Sequence, residues 1–292
     1  MATLAQWVAG ARPRTLPAAV SPVLVGTGAA YAAGHGDSGL ALLALAVALS
    51  LQVAVNYAND YSDGVRGTDA ARVGPVRLVG QGLAPPWEVK LAAYVSFFLA
   101  AVFGLALVAL SQAWVFIPIG LACIVAAWGY TGGSRPYGYR GLGEVMVFVF
   151  FGLVATLGTQ LTQAGRVTWP GVFAAVGVGA LASAILVANN LRDIPSDAVA
   201  GKHTLAVRLG DARTRWLWGA LVGVALLMAA VCGLWHVSAL IALASLPLAV
   251  PPARALRAGA VGRDLVPVLG ATGRLQLGYA VLLALGLILA AR

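Results

Sequence analysis

The sequence predicts an all-α, polytopic membrane bundle. Three observations lead there. Of its 292 residues 60% are hydrophobic and only 10% charged, with a mean hydropathy of +0.88, whereas soluble domains carry about 25% charged residues. Its apolar runs reach the roughly 20 residues a helix needs to cross a hydrocarbon core. They show no alternation of period 2, which excludes a β-barrel.

Nine such spans are expected, near 16–34, 39–57, 89–111, 113–130, 143–163, 170–191, 213–233, 235–256 and 273–291, in a single domain covering 1–292. If sides alternate from span to span, every Lys and Arg except Arg166 and Arg292 falls on one side, out of 19 in all. The positive-inside rule makes that side cytoplasmic, with the N-terminus inside and the C-terminus outside. The net charge of +9 is therefore a topology signal, and no nucleic-acid partner is expected. The N-terminus lacks a short apolar core followed by a cleavage site, so no cleavable signal peptide is expected. Cys123 and Cys232 both sit inside apolar runs and read as small hydrophobes.

Arg12-Pro13-Arg14-Thr15-Leu16-Pro17 precedes the first span. Its arginines anchor topology, and one of them is a candidate to face an anionic group at the cytoplasmic mouth. The second span runs into Asn59-Asp60-Tyr61-Ser62-Asp63 and onward to Asp69. Asn56, Asn59, Asp60 and Asp63 recur at i, i+3, i+4 and i+7, one face of a helix. Oxygen donors clustered so suit a hard cation such as Mg²⁺, above all one carrying phosphate. Arg66, Arg72 and Arg77 follow in the same loop, where arginine supplies bidentate contacts to phosphate oxygens.

Spans three and four are plain apolar helices. The loop after them, Tyr130 to Glu144, holds three tyrosines with Arg135 and Arg140 among glycines and prolines, a turn signal. Tyr130 and Tyr139 are candidates to flank a cation or an aromatic ring, while Glu144 is expected to be structural at a helix N-terminus. Span five opens on Val147-Phe148-Val149-Phe150-Phe151 and carries Thr156, Thr159, Gln160 and Thr162 deeper down. Polar residues at such depth face other helices.

Span six ends on a second cluster, Asn189-Asn190-Leu191-Arg192-Asp193-Ile194-Pro195-Ser196-Asp197. Asn189, Asp193 and Asp197 share one helical face until Pro195 disturbs it. Lys202 follows closely. Asp and Glu number 10 in the whole chain, so a second cluster at an equivalent span end is hard to assign to chance, and ionisable groups at membrane depth mark function. The remaining spans read as scaffold and as walls for a long apolar substrate.

At these two clusters the chain resembles the UbiA superfamily of intramembrane prenyltransferases. Asn59-Asp60-x-x-Asp63 is similar to the first Asp-rich motif of that family and Asp193-x-x-x-Asp197 to the second. Arg12 to Pro17, Tyr130-Thr131-Gly132-Gly133, Gly143-Glu144 and Asn189 through Gly210 resemble the branch that prenylates 1,4-dihydroxy-2-naphthoate in menaquinone synthesis. Two positions depart from the wider pattern. Gly67 stands where a further Asp is frequent, with Asp69 two residues on, and Arg135 replaces a frequent Lys.

The resemblance implies a nine-helix bundle in the cytoplasmic membrane, its two Asp motifs facing each other at the cytoplasmic end. It implies Mg²⁺ bridging those carboxylates to a polyprenyl diphosphate, and transfer of the prenyl group to the naphthoate with loss of CO₂. In that arrangement Asp60, Asp63 and Asp69 would hold one ion, and Asp193 and Asp197 the other. Asn56, Asn59, Asn189 and Asn190 would position ligands or diphosphate. Arg66, Arg72, Arg77, Arg135 and Lys202 would be the pool of phosphate contacts. Two alternatives stay open from residues alone, a relative acting on hydroxybenzoate or homogentisate and a cation-coupled transporter. Transport sites usually sit near the midplane on broken helices, unlike these span ends.

Overall fold

The computed structural model describes residues 2–67 and 76–291. A short helix α1 (Leu4–Gly10) leads into α2 (Pro17–Ala32), α3 (Ser38–Val65), α4 (Pro86–Ser111) and α5 (Phe116–Gly129). There follow α6 (Gly143–Ala164), α7 (Trp169–Val199), α8 (Leu205–Cys232), α9 (Val237–Arg257) and α10 (Leu265–Leu289). The described residues contain helices and turns and no strand.

Seven of these helices are long and apolar enough to cross a membrane, and an eighth crossing arises if the pair Leu4–Thr15 and Pro17–Ala32, bent by 48°, counts as one span. The protein is an integral membrane protein. The expected count of nine is not reached by length alone. The segment near 113–130 forms a helix of only 14 residues, about 21 Å at 1.5 Å per residue, against a core of about 30 Å. It begins late because Trp114 and Val115 are spent on the turn after α4, and it ends where Gly129 meets the Tyr130 loop.

Local chemistry sets the helix ends. Asp37 accepts the Leu40 N–H at 2.9 Å and starts α3, and Thr168 and Thr204 cap α7 and α8 in the same way. An N-cap oxygen satisfies an otherwise orphaned backbone donor. Within α6, Phe148–Val154 winds as a π turn, a form that tends to fall at functional places.

The buried centre is α7, with 72% of its apolar stretch buried against 22% for α4. Lipid tails are as apolar as leucine, so membrane helices associate through close packing of small residues and interhelical hydrogen bonds. Accordingly Gly152 of α6 abuts Gly179 of α7, and Gly26 of α2 abuts Thr156 of α6. Gln160 donates to Ala29 O at 3.3 Å and to Thr168 Oγ1 at 2.8 Å, tying α6 to α2 and to the turn before α7. Tyr279 Oη donates to Ala225 O at 2.9 Å, joining α10 to α8. Gly273 faces Pro17 and Gly28 faces Ala284, so α2 and α10 run parallel. Exposed Trp114, Trp169 and Trp235 lie at one end of the bundle and Trp87 and Trp216 toward the other, the placement of interfacial aromatic belts.

A Cβ on Gly28 would stand 2.8 Å from Ala284 Cα. Gly28→Val is expected to destabilise the bundle by about 1–3 kcal/mol through overpacking. A lower thermal midpoint in detergent, with the helical circular dichroism retained before melting, checks this.

Candidate active site

One cavity of about 550 Å³ runs through the bundle, lined chiefly by α2 to α7. On α3 it extends from Ala44 to Asp63, about 28 Å of helix at 1.5 Å per residue. Most of the wall is apolar, from Val47, Leu51 and Val108 to Ile124, Phe150 and Phe151. Polar and charged residues concentrate at one end, where Arg12, Asn56, Asn59, Asp63, Arg77, Tyr139, Asn189, Asp197 and Lys202 all reach the wall.

Asn56, Asn59, Asp60 and Asp63 lie on α3 as their spacing predicts, since the helix continues past the apolar run to Val65. Asp63 is the hub of the site. It accepts the Tyr139 hydroxyl at 2.6 Å and the Lys202 ammonium at 3.1 Å, with Arg77 Nη2 at 3.9 Å. Lys202 also lies 4.6 Å from the centre of the Tyr139 ring, a cation–π contact. Its backbone N–H donates to the carbonyl of Asp197 at 2.8 Å. One lysine thus connects the first Asp motif to the second.

The other predicted carboxylates are placed differently. Asp60 is fully buried and stands behind the cavity wall. Its two oxygens accept the backbone N–H groups of Leu78 and Val79 at 2.7 and 3.1 Å, which anchors the segment that delivers Arg77. Asp193 also stands behind the wall. Arg192 grips it through Nε at 2.7 Å and Nη2 at 2.8 Å, and the same guanidinium donates to Asn189 Oδ1 at 2.9 Å. Helix α7 continues through Pro195 to Val199, and Asp197 reaches the cavity wall with Asn189 as its spacing assigns. Asp69 and Arg72 lie outside the described residues.

Two predicted cations stand away from the cavity. Arg66 donates to the carbonyls of Thr131 and Gly133 and lies over Tyr139 at 5.4 Å, so its fork clamps the Tyr130 loop to the end of α3. Arg135 is exposed on the outer turn of that loop, beyond the left-handed Gly133 (φ 77°). Asn59 Oδ1 accepts the Thr131 hydroxyl at 2.7 Å, and Asn56 Nδ2 donates to Ala11 O at 2.8 Å and to Thr15 at 3.1 Å.

Several residues gain a place here that their sequence context gives only weakly. Arg12 lines the cavity from a left-handed backbone (φ 55°), a conformation that costs a non-glycine residue about 1–3 kcal/mol. The Pro after it and the bonds of Asn56 to Ala11 and Thr15 hold that turn in place. Tyr137 reaches the wall and packs edge-on against Tyr130, ring centres 5.5 Å apart. Burial pushes its phenol up to about 12, so it remains a neutral donor at physiological pH. No sequence signal separates Tyr137 from the other tyrosines of the loop.

The sequence profile of the UbiA prenyltransferase family matches residues 19–260. The chain belongs to this family. It is 57% identical over 284 residues, 97% of each chain, to a Mycobacterium tuberculosis protein named 1,4-dihydroxy-2-naphthoate octaprenyltransferase. An Escherichia coli protein of the same name is 43% identical over 231 residues, 75% of each chain. A UbiA homologue from Archaeoglobus fulgidus, solved bound to GPP and Mg²⁺, superposes with a TM-score of 0.69 at 16% identity, covering 97% of this chain and 99% of that one. At that identity the likeness is one of fold, and it extends to the whole bundle.

Removing the Asp60 carboxylate leaves two buried amides without acceptors, at about 1–3 kcal/mol each. Asp60→Ala is expected to loosen the segment around residues 76–80 before it affects the helices. Limited proteolysis of the variant should cut there faster than in the wild type, with the remaining fragments intact.

Proposed function

We propose that this protein transfers the polyprenyl group of a polyprenyl diphosphate to 1,4-dihydroxy-2-naphthoate, with loss of CO₂ and diphosphate, giving a demethylmenaquinol. The observation that carries this reading is the division of the cavity. Its cytoplasmic end is lined by cations and oxygen donors, and the rest is apolar over about the thickness of the bilayer core. A diphosphate fits the first part and an isoprenoid chain the second. The choice of acceptor is supported by high identity to relatives named for it.

The donor set suits Mg²⁺. Asp63, Asp197 and the amide oxygens of Asn56 and Asn189 are hard ligands, with neither His nor Cys at that end of the cavity. Among the described residues no three His, Cys, Asp or Glu converge on one point. An ion here would complete its shell with phosphate oxygens and water, as Mg²⁺ commonly does. Asp63 and Asp197 would hold it, with Asp60 and Asp193 behind them as supports. Bound there, Mg²⁺ would neutralise charge that develops on the departing diphosphate.

The chain's own residues do the rest. Lys202, Arg77 and Arg12 surround the diphosphate with fixed positive charge, which stabilises the leaving group without reorganisation. The allylic C–O bond breaks and its electron pair leaves with the diphosphate. The ring carbon that bears the carboxylate forms the new C–C bond. CO₂ then departs from that carbon, and its electron pair restores the aromatic ring. The apolar wall keeps water from the allylic cation, while Tyr139 offers a ring face to positive charge.

The active site faces the cytoplasm in this reading, with nine crossings that include α5 as a short one. The parallel course of α2 and α10 supports an odd number of crossings, and the one-sided Lys and Arg support the orientation.

Purified protein in nanodiscs, given Mg²⁺ and a labelled polyprenyl diphosphate, should prenylate dihydroxynaphthoate and leave 4-hydroxybenzoate unreacted. EDTA should abolish the product. Prenylation of 4-hydroxybenzoate alone would overturn the acceptor assignment. Asp63→Ala and Asp197→Ala should each lower kcat by at least about 10²-fold, the scale of losing a group that stabilises the transition state. Wild-type turnover in either variant would refute the assigned metal end.

A further inference from the structure

One buried acid has no part in the chemistry so far. Glu144 opens α6, is 6% exposed and sits directly behind the cavity wall, between Gly143 and Asn190, which both line it. Its Oε1 accepts the Asn190 amide at 2.8 Å, and its backbone carbonyl accepts the Ser183 hydroxyl at 3.0 Å. Its Oε2 is buried and meets no hydrogen-bond donor among the described residues. A buried acid kept only for stability would have both oxygens satisfied, because an unpaired one costs free energy.

The pairing has a geometric consequence. A carboxylate oxygen only accepts hydrogen bonds, so it holds the NH₂ of Asn190 toward itself. The carbonyl oxygen of Asn190 is then the atom that this amide offers to the cavity. Asn190 lies seven positions before Asp197 on the same helix, about 10 Å deeper at 1.5 Å per residue, level with Asn189 at the inner margin of the charged end. Around it the wall is formed by Leu186, Gly143 and the edge-on pair Tyr130 and Tyr137. The lack of a side chain at Gly143 gives this corner its width. A Cβ there would stand 3.2 Å from Leu186 Cδ2 and 3.4 Å from the Tyr130 ring.

We propose that this corner seats the aromatic acceptor, with Asn190 Oδ1 accepting a hydrogen bond from one ring hydroxyl and Glu144 acting as the positioning residue that fixes the amide. The proposal rests on the acceptor reading given above. Two aromatic faces and an aliphatic one suit a planar bicyclic ring, and a single inward-facing acceptor oxygen suits a phenol. An acceptor whose hydroxyl is missing would leave that oxygen unpaired, the arrangement from which enzymes draw strong discrimination. The hydrogen bond also leaves electron density on the phenolic oxygen and so favours attack by the ring.

The test compares 1,4-dihydroxy-2-naphthoate with its two monohydroxy analogues, in wild type and in Asn190→Ala, Glu144→Gln and Gly143→Ala. Asn190→Ala should raise the KM for the dihydroxy acceptor about tenfold, as loss of one hydrogen bond predicts. The KM for the polyprenyl diphosphate should stay within about twofold. For one of the two analogues, the one lacking the recognised hydroxyl, the variant should cost nothing further. Glu144→Gln can hold the amide in either orientation, so it should show the same pattern at smaller size. Gly143→Ala, which leaves the polar pair intact, should raise KM for all three acceptors equally.

Gel filtration and a thermal midpoint show that each variant is folded. If Asn190→Ala does not fold, Glu144→Gln and Gly143→Ala carry the test alone. In Asn190→Ala or Glu144→Gln, an unchanged acceptor KM, a shift in diphosphate KM alone, or an equal loss on both analogues would overturn the proposal, as would an unchanged acceptor KM in Gly143→Ala. A wild-type protein that makes no product from dihydroxynaphthoate would instead overturn the acceptor reading itself.

Discussion

Asp63 holds the site together. A buried carboxylate must be paired, and this one draws its partners from three separate stretches of chain. Tyr139 comes from the loop before α6, Lys202 from the turn after α7, and Arg77 from the segment that Asp60 anchors. Through Lys202 the pairing extends to the backbone of Asp197. The need to neutralise one charge at the membrane boundary therefore brings the two halves of the bundle to a common point. The same arrangement leaves a cluster of cations beside carboxylates, which is what a metal-bound diphosphate requires.

The helices can enclose a cavity because their packing does not depend on filling it. Where they touch, they touch through glycine, alanine, threonine and a few hydrogen bonds, as at Gly152 with Gly179 or Gln160 with Ala29. Helices α7, α2 and α10 form the tightly buried part. The large side chains of α4 and α5 are left to line the chamber or to face lipid. An apolar substrate then meets a wall similar to the bilayer it leaves, so entry carries little hydrophobic penalty.

Much of this was legible in the sequence. The faces of α3 and α7 were readable because helical periodicity fixes which side chains share a side. The number of full-length spans was less legible, because hydropathy marks an apolar run without saying how much of it a turn consumes, as at Trp114 and Val115. Spacing also could not divide the carboxylates of one face. Asp60 and Asp63 are three residues apart, yet one faces backbone amides and the other the cavity. Arg66 and Arg135 had the right charge in the right loops. Their guanidinium positions depended on a turn at Gly133 that no local rule specifies. Arg12 and Glu144 were readable as polar residues at helix ends, and only their neighbours made one line the cavity and the other support it.

By itself the sequence determined the class of fold, the membrane setting and the two places where charge is concentrated. Those properties follow from composition and periodicity, which are local along a helix. The tertiary structure decided which members of each cluster face one another, because that depends on how Asp63, Tyr139 and Lys202 meet across α3, the Tyr130 loop and the turn after α7. Such a meeting is a sum of many weak packing choices between small residues, and none of them is written in any one segment.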